Sequence, residues 1–394
     1  MSHSNRMLVS RVLLCVVAGS GVACDTLNIT APVEPPPESW DPALNDHPQG
    51  EAFRELLDTY VREGLPGAVL LVRTPQGQWN GAAGYAKVET AEPMQPTHLH
   101  HGASVTKMYV ATGVLLLAED GIIDLDAGIR DYLPEEVWRP IPNAGEATVR
   151  QLLGHTSGIP DFSGDLRSDL DFLNDPLGSY PPERLLSYLH GQSSIFAPGE
   201  GYFYSNANYF LLAIIMDRLT EGTHAEVISQ RVLAPLGLHA TYYRNDPGYP
   251  TPPGLVNSYQ DIGGDGRLMN VSDMAVHSSR VFFGNAGLIA SSADFGGFVE
   301  GLLSGQLLGP EMLAEMQGWR EGSRYGLGLN YIETPFGPGI GHSGGDNGVL
   351  SQVRRFPGLD ATLVLLSNGG DGGAPARLFN RLWADAMELA LGGL

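Results

Sequence analysis

Ser104 and Lys107 stand three residues apart, a spacing that places a hydroxyl and an amine on adjacent positions of one helix face, where they can share a proton. Serine is a poor nucleophile at its own pKa and needs a neighbouring base. Lysine can be that base only if burial or nearby cations make its neutral form accessible. A helix N-terminus helps on both counts: its positive end disfavours the ammonium, and its free N–H groups can face a developing oxyanion. The pair also fits a helix-capping serine beside a solvated lysine. Lysine is scarce here, however. Apart from Lys87 and Lys107, all of the 23 basic residues are arginine, which stays protonated and cannot act as a base.

Two distant segments could complete such a site. In Tyr204-Ser205-Asn206, a phenol hydrogen-bonded to an amine loses its proton more easily, so Tyr204 could relay protons between Ser104, a leaving group and water. Asn206 could donate to a substrate amide and to Lys107. In Gly341-His342-Ser343-Gly344-Gly345, at the end of a β-prone run, the glycines permit close backbone approach to a ligand. The N–H of Gly345 could form an oxyanion hole with that of Ser104. His342, with Ser343 and Gly344, would line the substrate pocket.

The elements that must bring these segments together can be read from pattern. Apolar residues from Ala52 to Val61 recur at helical spacing, and two β-prone runs, 67–73 and 78–85, flank a Pro75-Gln76-Gly77 turn. A helix is expected from Ser104 to Glu119. Further helices are expected at 149–153, 182–190, 208–219 and 225–233, with one capped by Ser291 or Ser292 running towards Leu303. Strands are expected at 326–332, 340–342, 349–356 and 362–367, before a terminal helix over 375–391. A hairpin early and a meander late would pair into one antiparallel sheet around an inserted, mostly helical middle. The predicted class is α+β. The sheet comes from about 49–100 and 285–394, and the helical insertion from about 101–284.

Composition bounds the rest. With 43% hydrophobic and 17% charged residues, the 394-residue chain can bury a large core. A formal charge of −21 would repel phosphate backbones and anionic membranes, which argues against nucleic acid as a partner. Both cysteines, Cys15 and Cys24, lie in the first 24 residues, so the body has no disulfide and no thiolate site. Arg6 and Arg11 precede an apolar run from Val12 to Val22, the length of a signal-peptide core, and Gly21-Val22-Ala23-Cys24 looks like a lipoprotein cleavage site. Residues 1–24 therefore read as an export leader, 25–48 as a proline-rich tether, and 49–394 as the folded domain. The expected location is the periplasm or cell envelope, with membrane contact only through a lipid on Cys24.

Ser-x-x-Lys, Tyr-x-Asn and His-x-Gly in this order resemble the serine β-lactamase and penicillin-binding protein superfamily. The resemblance is to the branch holding class C β-lactamases, D-alanyl-D-alanine carboxypeptidases and β-lactamase-fold esterases. The strings Leu152-Leu153-Gly154-His155-Thr156-Ser157-Gly158-Ile159-Pro160 and Asn285-Ala286-Gly287-Leu288, with Ser291 and Asp294, extend it over roughly residues 50–390. It implies Ser104 as nucleophile, Lys107 and Tyr204 as the proton-transfer pair, Asn206 as a positioning residue, His342 as a pocket residue and His155 as a loop-shaping one. No metal or organic cofactor is implied. Where class C enzymes carry Lys-Thr-Gly, this chain has His342-Ser343-Gly344, replacing a permanent cation with a mostly neutral imidazole. Amide or ester hydrolysis, on a D-amino-acid peptide or short-chain ester, is then expected over efficient β-lactam turnover.

Other readings compete. Gly341 to Gly345 also fits the Gly-x-Ser-x-Gly nucleophile elbow of α/β-hydrolases, which would make Ser343 the nucleophile, but no histidine follows it in the chain. His98, His100 and His101 suggest a metal, without the aspartate and further histidine such a site needs close behind. Asp261 to Asp265 suggests a calcium loop but lacks its terminal glutamate. A non-catalytic receptor that binds a peptide or peptidoglycan fragment is the rival of a different class.

Overall fold

A computed structural model describes residues 26–27, 45–246, 252–277, 283–320, 322–370 and 372–394. The leader and the proline-rich part of the tether lie outside the described residues. Folded structure starts with α1 (Gly50–Arg62) and the hairpin β1 (Gly67–Thr74) and β2 (Gly77–Lys87), followed by a short β3 (Glu92–Pro93). The long middle begins with α2 (Thr106–Glu119) and includes α3 (Asn206–Leu219). Then come α4 (Ser292–Leu303), the meander β4 (Asn330–Thr334), β5 (Gly337–Asp346), β6 (Val349–Phe356) and β7 (Ala361–Ser367), and a terminal α5 (Gly373–Leu391).

The sheet is antiparallel with order β4-β5-β6-β7-β1-β2-β3, and it closes where Ser367 pairs with Ala68 and Thr362 with Arg73. Early and late chain thus share one sheet, and the α+β class expected from the sequence is the class observed. The two central strands, β7 and β1, are predominantly apolar because both of their faces are covered. Val69, Leu71, Val364 and Leu366 join a core with α2 and with Phe295 and Phe298 of α4. The alternate residues Ala68, Leu70, Val72, Leu363 and Leu365 pack against Phe53 and Leu57 of α1 and Leu382 and Trp383 of α5.

Several local details differ from the pattern reading. Strand β4 starts only at Asn330, because residues 325–330 form a tight turn in which Tyr325 bridges Asn330 and Gly326 N donates to Leu329 O at 2.9 Å. Gly328 is in the left-handed region and presses on α2, where a Cβ would lie 2.2 Å from that of Ala111. Helix α3 starts two residues earlier than expected, at Asn206. The 225–233 stretch is an α-turn, His224–Ile228, continued by a π-turn, Ser229–Leu233. Ser291, not Ser292, caps α4 by accepting from Asp294 N. The middle is also not purely helical: His100–His101, Leu288–Ala290 and Thr241–Tyr243 form another, three-stranded sheet beside the turn that bears Ser104. Two further helices, Leu166–Asn174 and Pro310–Met316, were not among those expected from the sequence.

Leu365 is fully buried between β6 and β1. Leu365→Ala is expected to cost about 2–5 kcal/mol in chemical denaturation, with the cost set by how far α5 can collapse into the space.

Candidate active site

The hydroxyl of Ser104 is presented by a single 3-10 turn, Ala103–Val105, that runs directly into α2. Ala103 sits at φ +46°, a conformation unusual for a residue with a Cβ, and the neighbouring backbone holds it there. On one side Gly102 N donates to Leu288 O at 2.8 Å, and Leu288 N donates to Thr106 Oγ1 at 3.1 Å. On the other, Ser351 Oγ donates to Gly102 O at 3.0 Å. Gly344 lies so close that a Cβ would meet Gly102 O at 2.1 Å. Gly344, expected to line the substrate pocket, is in the structure also the contact between β5 and the turn that bears Ser104.

Lys107, one helical turn on, has no solvent exposure. Its Nζ lies 3.1 Å from Ser104 Oγ, 2.9 Å from Asn206 Oδ1 and 2.9 Å from the Asn285 carbonyl oxygen. Burial lowers its pKa to about 7, against the opposing pull of Asp161 and Asp346. The three partners are not equivalent. Asn206 Oδ1 and the Asn285 carbonyl can only accept, so they claim two N–H groups. In the neutral amine the remaining position is a lone pair, and it faces the one partner able to donate, Ser104 O–H.

Tyr204 covers this arrangement, its ring centroid 4.9 Å from Lys107 Nζ and its hydroxyl bonded to Ser104. Burial pushes its phenol well above the usual tyrosine range, so at neutral pH Tyr204 is a proton donor, and Lys107 is the better resting base. Asn206 faces the opposite way from the sequence expectation. Its oxygen accepts from Lys107, while its Nδ2 donates to Asp161 Oδ2 at 2.9 Å, leaving Asp161 to orient the amide. The segment carrying both residues hangs on His155, itself at φ +56°. His155 Nδ1 accepts from Ser205 N and from Asn208 Nδ2, each at 3.2 Å, and its ring packs on Tyr204 at 4.3 Å.

His342 is brought to the same place, 6.3 Å from Tyr204 between ring centroids, but it is buried with both ring nitrogens engaged. Nδ1 donates to Ser343 O and Nε2 accepts from Tyr325 Oη at 3.0 Å. Burial and the proximity of Lys107 bring its pKa down to about 3, so it is a neutral wall beneath the site. Strand β5 pairs with β4 only as far as Gly341, so among the described residues the outer edge of His342–Asp346 has no strand partner, and that open edge includes Gly345, the expected oxyanion donor. Ser343 lies within the strand, opposite Gln352, and not on the strand-to-helix turn of a nucleophile elbow.

Three contributors escaped the sequence reading. Asp161 and Tyr325 act on Asn206 and His342, one step from the chemistry. Asn285 serves Lys107 through a backbone oxygen, which no residue type advertises. Among the described residues, no group of three or more His, Cys, Asp or Glu is placed to hold a metal. His100 and His101 are buried strand residues paired with Ala290 and Ile289. The Asp261 carboxylate is filled by its own turn, accepting from Asp265 N and Gly266 N.

The chain matches the beta-lactamase family over residues 51–388. It is 30% identical over 179 residues to penicillin-binding protein 4* of Bacillus subtilis (strain 168), a match covering 45% of this chain and 38% of that one. The chain thus spans less than half the length of that relative. It is 26% identical over 327 residues to penicillin-binding protein 4 of Amycolatopsis lactamdurans, covering 78% and 81% of the two chains. The crystal structure of a D-stereospecific amidohydrolase from Streptomyces sp. superposes with a TM-score of 0.74 at 27% identity, covering 86% of this chain and 99% of that one.

If Lys107 must be neutral to act, activity is protonation-gated. Below pH 7 the amine is increasingly charged and the rate should fall about tenfold per pH unit; above 7 it should plateau. The pH dependence of acylation by a chromogenic ester checks this. Gly344→Val should reduce kcat by about 100-fold while a fold-sensitive circular dichroism spectrum persists, because even a 1 Å displacement of the nucleophile turn is costly.

Proposed function

The chain belongs to the beta-lactamase family, and from that premise we propose that it is an exported serine hydrolase cleaving amides or esters through an acyl-enzyme on Ser104. The observation that carries the reading is Lys107, buried without exposure, with two N–H groups claimed by Asn206 and Asn285 and its third position on Ser104. A receptor or scaffold has no use for a desolvated amine held this way, since burying it costs stability.

In this mechanism Lys107 takes the Ser104 proton as Oγ bonds to the substrate carbonyl carbon. The oxyanion faces the N–H groups of Ser104 and Gly345. Tyr204, still protonated, passes its proton to the leaving group and recovers one from Lys107. Water then attacks the ester by the reverse route and frees Ser104. The residues do this without a cofactor.

Substrate charge follows from the pocket. A neutral His342 offers no grip on a carboxylate, and the two carboxylates nearest Lys107, Asp161 and Asp346, oppose one. A neutral amide or ester fits better than a β-lactam. The likeness to the Streptomyces D-stereospecific amidohydrolase favours a D-amino-acid amide or peptide, with a short-chain ester as the simpler surrogate. Carboxypeptidase action, which must hold a terminal carboxylate, fits less well. Export through residues 1–24, with Cys24 as the lipid attachment point, is part of the same reading.

A fluorophosphonate probe should label the wild type and not Ser104→Ala; labelling of neither would support the receptor. The kcat/KM for D-alanine p-nitroanilide or p-nitrophenyl acetate should exceed that for the β-lactam nitrocefin by about 10–100-fold, the size of one lost charge-assisted contact. Parity would defeat the charge argument.

A further inference from the structure

A buried hydrogen-bonded chain ends beside the one Lys107 contact that no catalytic side chain makes. The carbonyl of Asn285 lies in the segment Gly284 to Leu288, whose glycines at 284 and 287 have φ of +78° and +108°. Such a segment has little stiffness of its own. Its C-terminal end is clamped to the nucleophile turn through Leu288, as described above. At its N-terminal end Gly284 N donates to Tyr243 Oη at 3.1 Å.

Tyr243 is itself oriented. Its hydroxyl lies 3.1 Å from His224 Nε2, and His224 Nδ1 lies 2.7 Å from Asp217 Oδ1. The carboxylate can only accept, so it places the imidazole proton on Nδ1 and leaves Nε2 to accept from Tyr243. The phenol oxygen must then turn a lone pair to Gly284. Every donor in this chain points from the loop towards Asp217. His224 and Tyr243 are buried, and Phe283 packs on His224 at 4.8 Å between centroids. Gly284 has no room to drift inward, because a Cβ there would meet Tyr209 O at 2.3 Å.

We propose that Asp217, His224 and Tyr243 form a positioning relay that holds the Asn285 carbonyl against Lys107 and so keeps the amine's lone pair aimed at Ser104. Helix α3 unites the two acceptors. Asn206 at its first residue bonds Lys107 directly, and Asp217, about 16 Å along the same helix, registers the other acceptor through the relay. This inference rests on Lys107 being the base.

The test is kcat and KM for p-nitrophenyl acetate across pH in the full chain and in Tyr243→Phe, Asp217→Ala and Asp217→Asn. The remaining ionisable neighbours of Lys107, namely Asp161, Asp346, His155, His342, Tyr204 and Tyr209, are unchanged in all three. A carbonyl acceptor favours the charged amine, so losing its hold moves the acid limb to lower pH. Tyr243→Phe and Asp217→Ala should lower kcat about tenfold with KM within about twofold, and shift that midpoint down by about half a pH unit. Asp217→Asn, whose oxygen still accepts from His224, should stay within about threefold of wild type. Unchanged kcat, or a loss that follows only the folded fraction with an unmoved midpoint, overturns the relay. Asp217→Ala, at the half-exposed end of the chain, decides the question if Tyr243→Phe does not fold. Fluorophosphonate labelling keeps the two claims apart: an unlabelled wild type refutes the serine hydrolase itself, whereas a labelled wild type with indifferent variants refutes only the relay.

Discussion

A primary amine taken out of water is costly to keep charged, and Lys107 is held where that cost decides its protonation. The rest of the structure can be understood as what is needed to bury this amine while leaving its lone pair useful. Helix α2 is apolar nearly all round, and every residue from Thr106 to Leu117 is buried, so its first turn lies inside the core. The surroundings of Lys107 then supply acceptors and neutral rings where a surface lysine would have water: two amide oxygens, Tyr204, Tyr209, and the uncharged His155 and His342. The carboxylates that could recharge it, Asp161 and Asp346, act without bonding to it, and Asp161 is occupied with Asn206 and the Ser163 N–H.

The same economy explains the sheet. An antiparallel sheet made from both ends of the chain gives β5 a fixed height against α2, and Gly344 turns that height into contact with the nucleophile turn. Because β4 stops pairing at Gly341, the segment proposed to face the substrate is an open strand edge on a rigid support. Helix α3 does for the amine what β5 does for the hydroxyl, fixing its partners from one stiff element.

What could be read from sequence, and what could not, divides along physical lines. Strands β1 and β7 were legible because burial on both faces forces near-continuous apolar runs, β2 and β6 as β-prone runs in which buried and part-buried residues largely alternate, and α1 and α5 because each buries one stripe. Ser104, Lys107, Tyr204 and His342 were legible as residue types in a recurring order. Orientation was not. That Asn206 accepts from Lys107 where donation was expected depends on Asp161, a loop residue with no spacing relation to it. That His342 is neutral could be anticipated from its side chain, but that Tyr325 and Ser343 occupy both its nitrogens could not. The Asn285 carbonyl is the extreme case, since a backbone oxygen carries no trace of its role in the residue name.

With only two lysines in the chain, the protonation of Lys107 can be observed directly. Lysine labelled at Cε and followed by NMR through a pH titration, with Lys107→Arg to assign the two resonances, should show the Lys107 signal moving with a midpoint of about 7. A Lys107 midpoint near the ordinary lysine value of about 10.4 would mean that the amine is a charged anchor, and that it does not take the Ser104 proton at neutral pH.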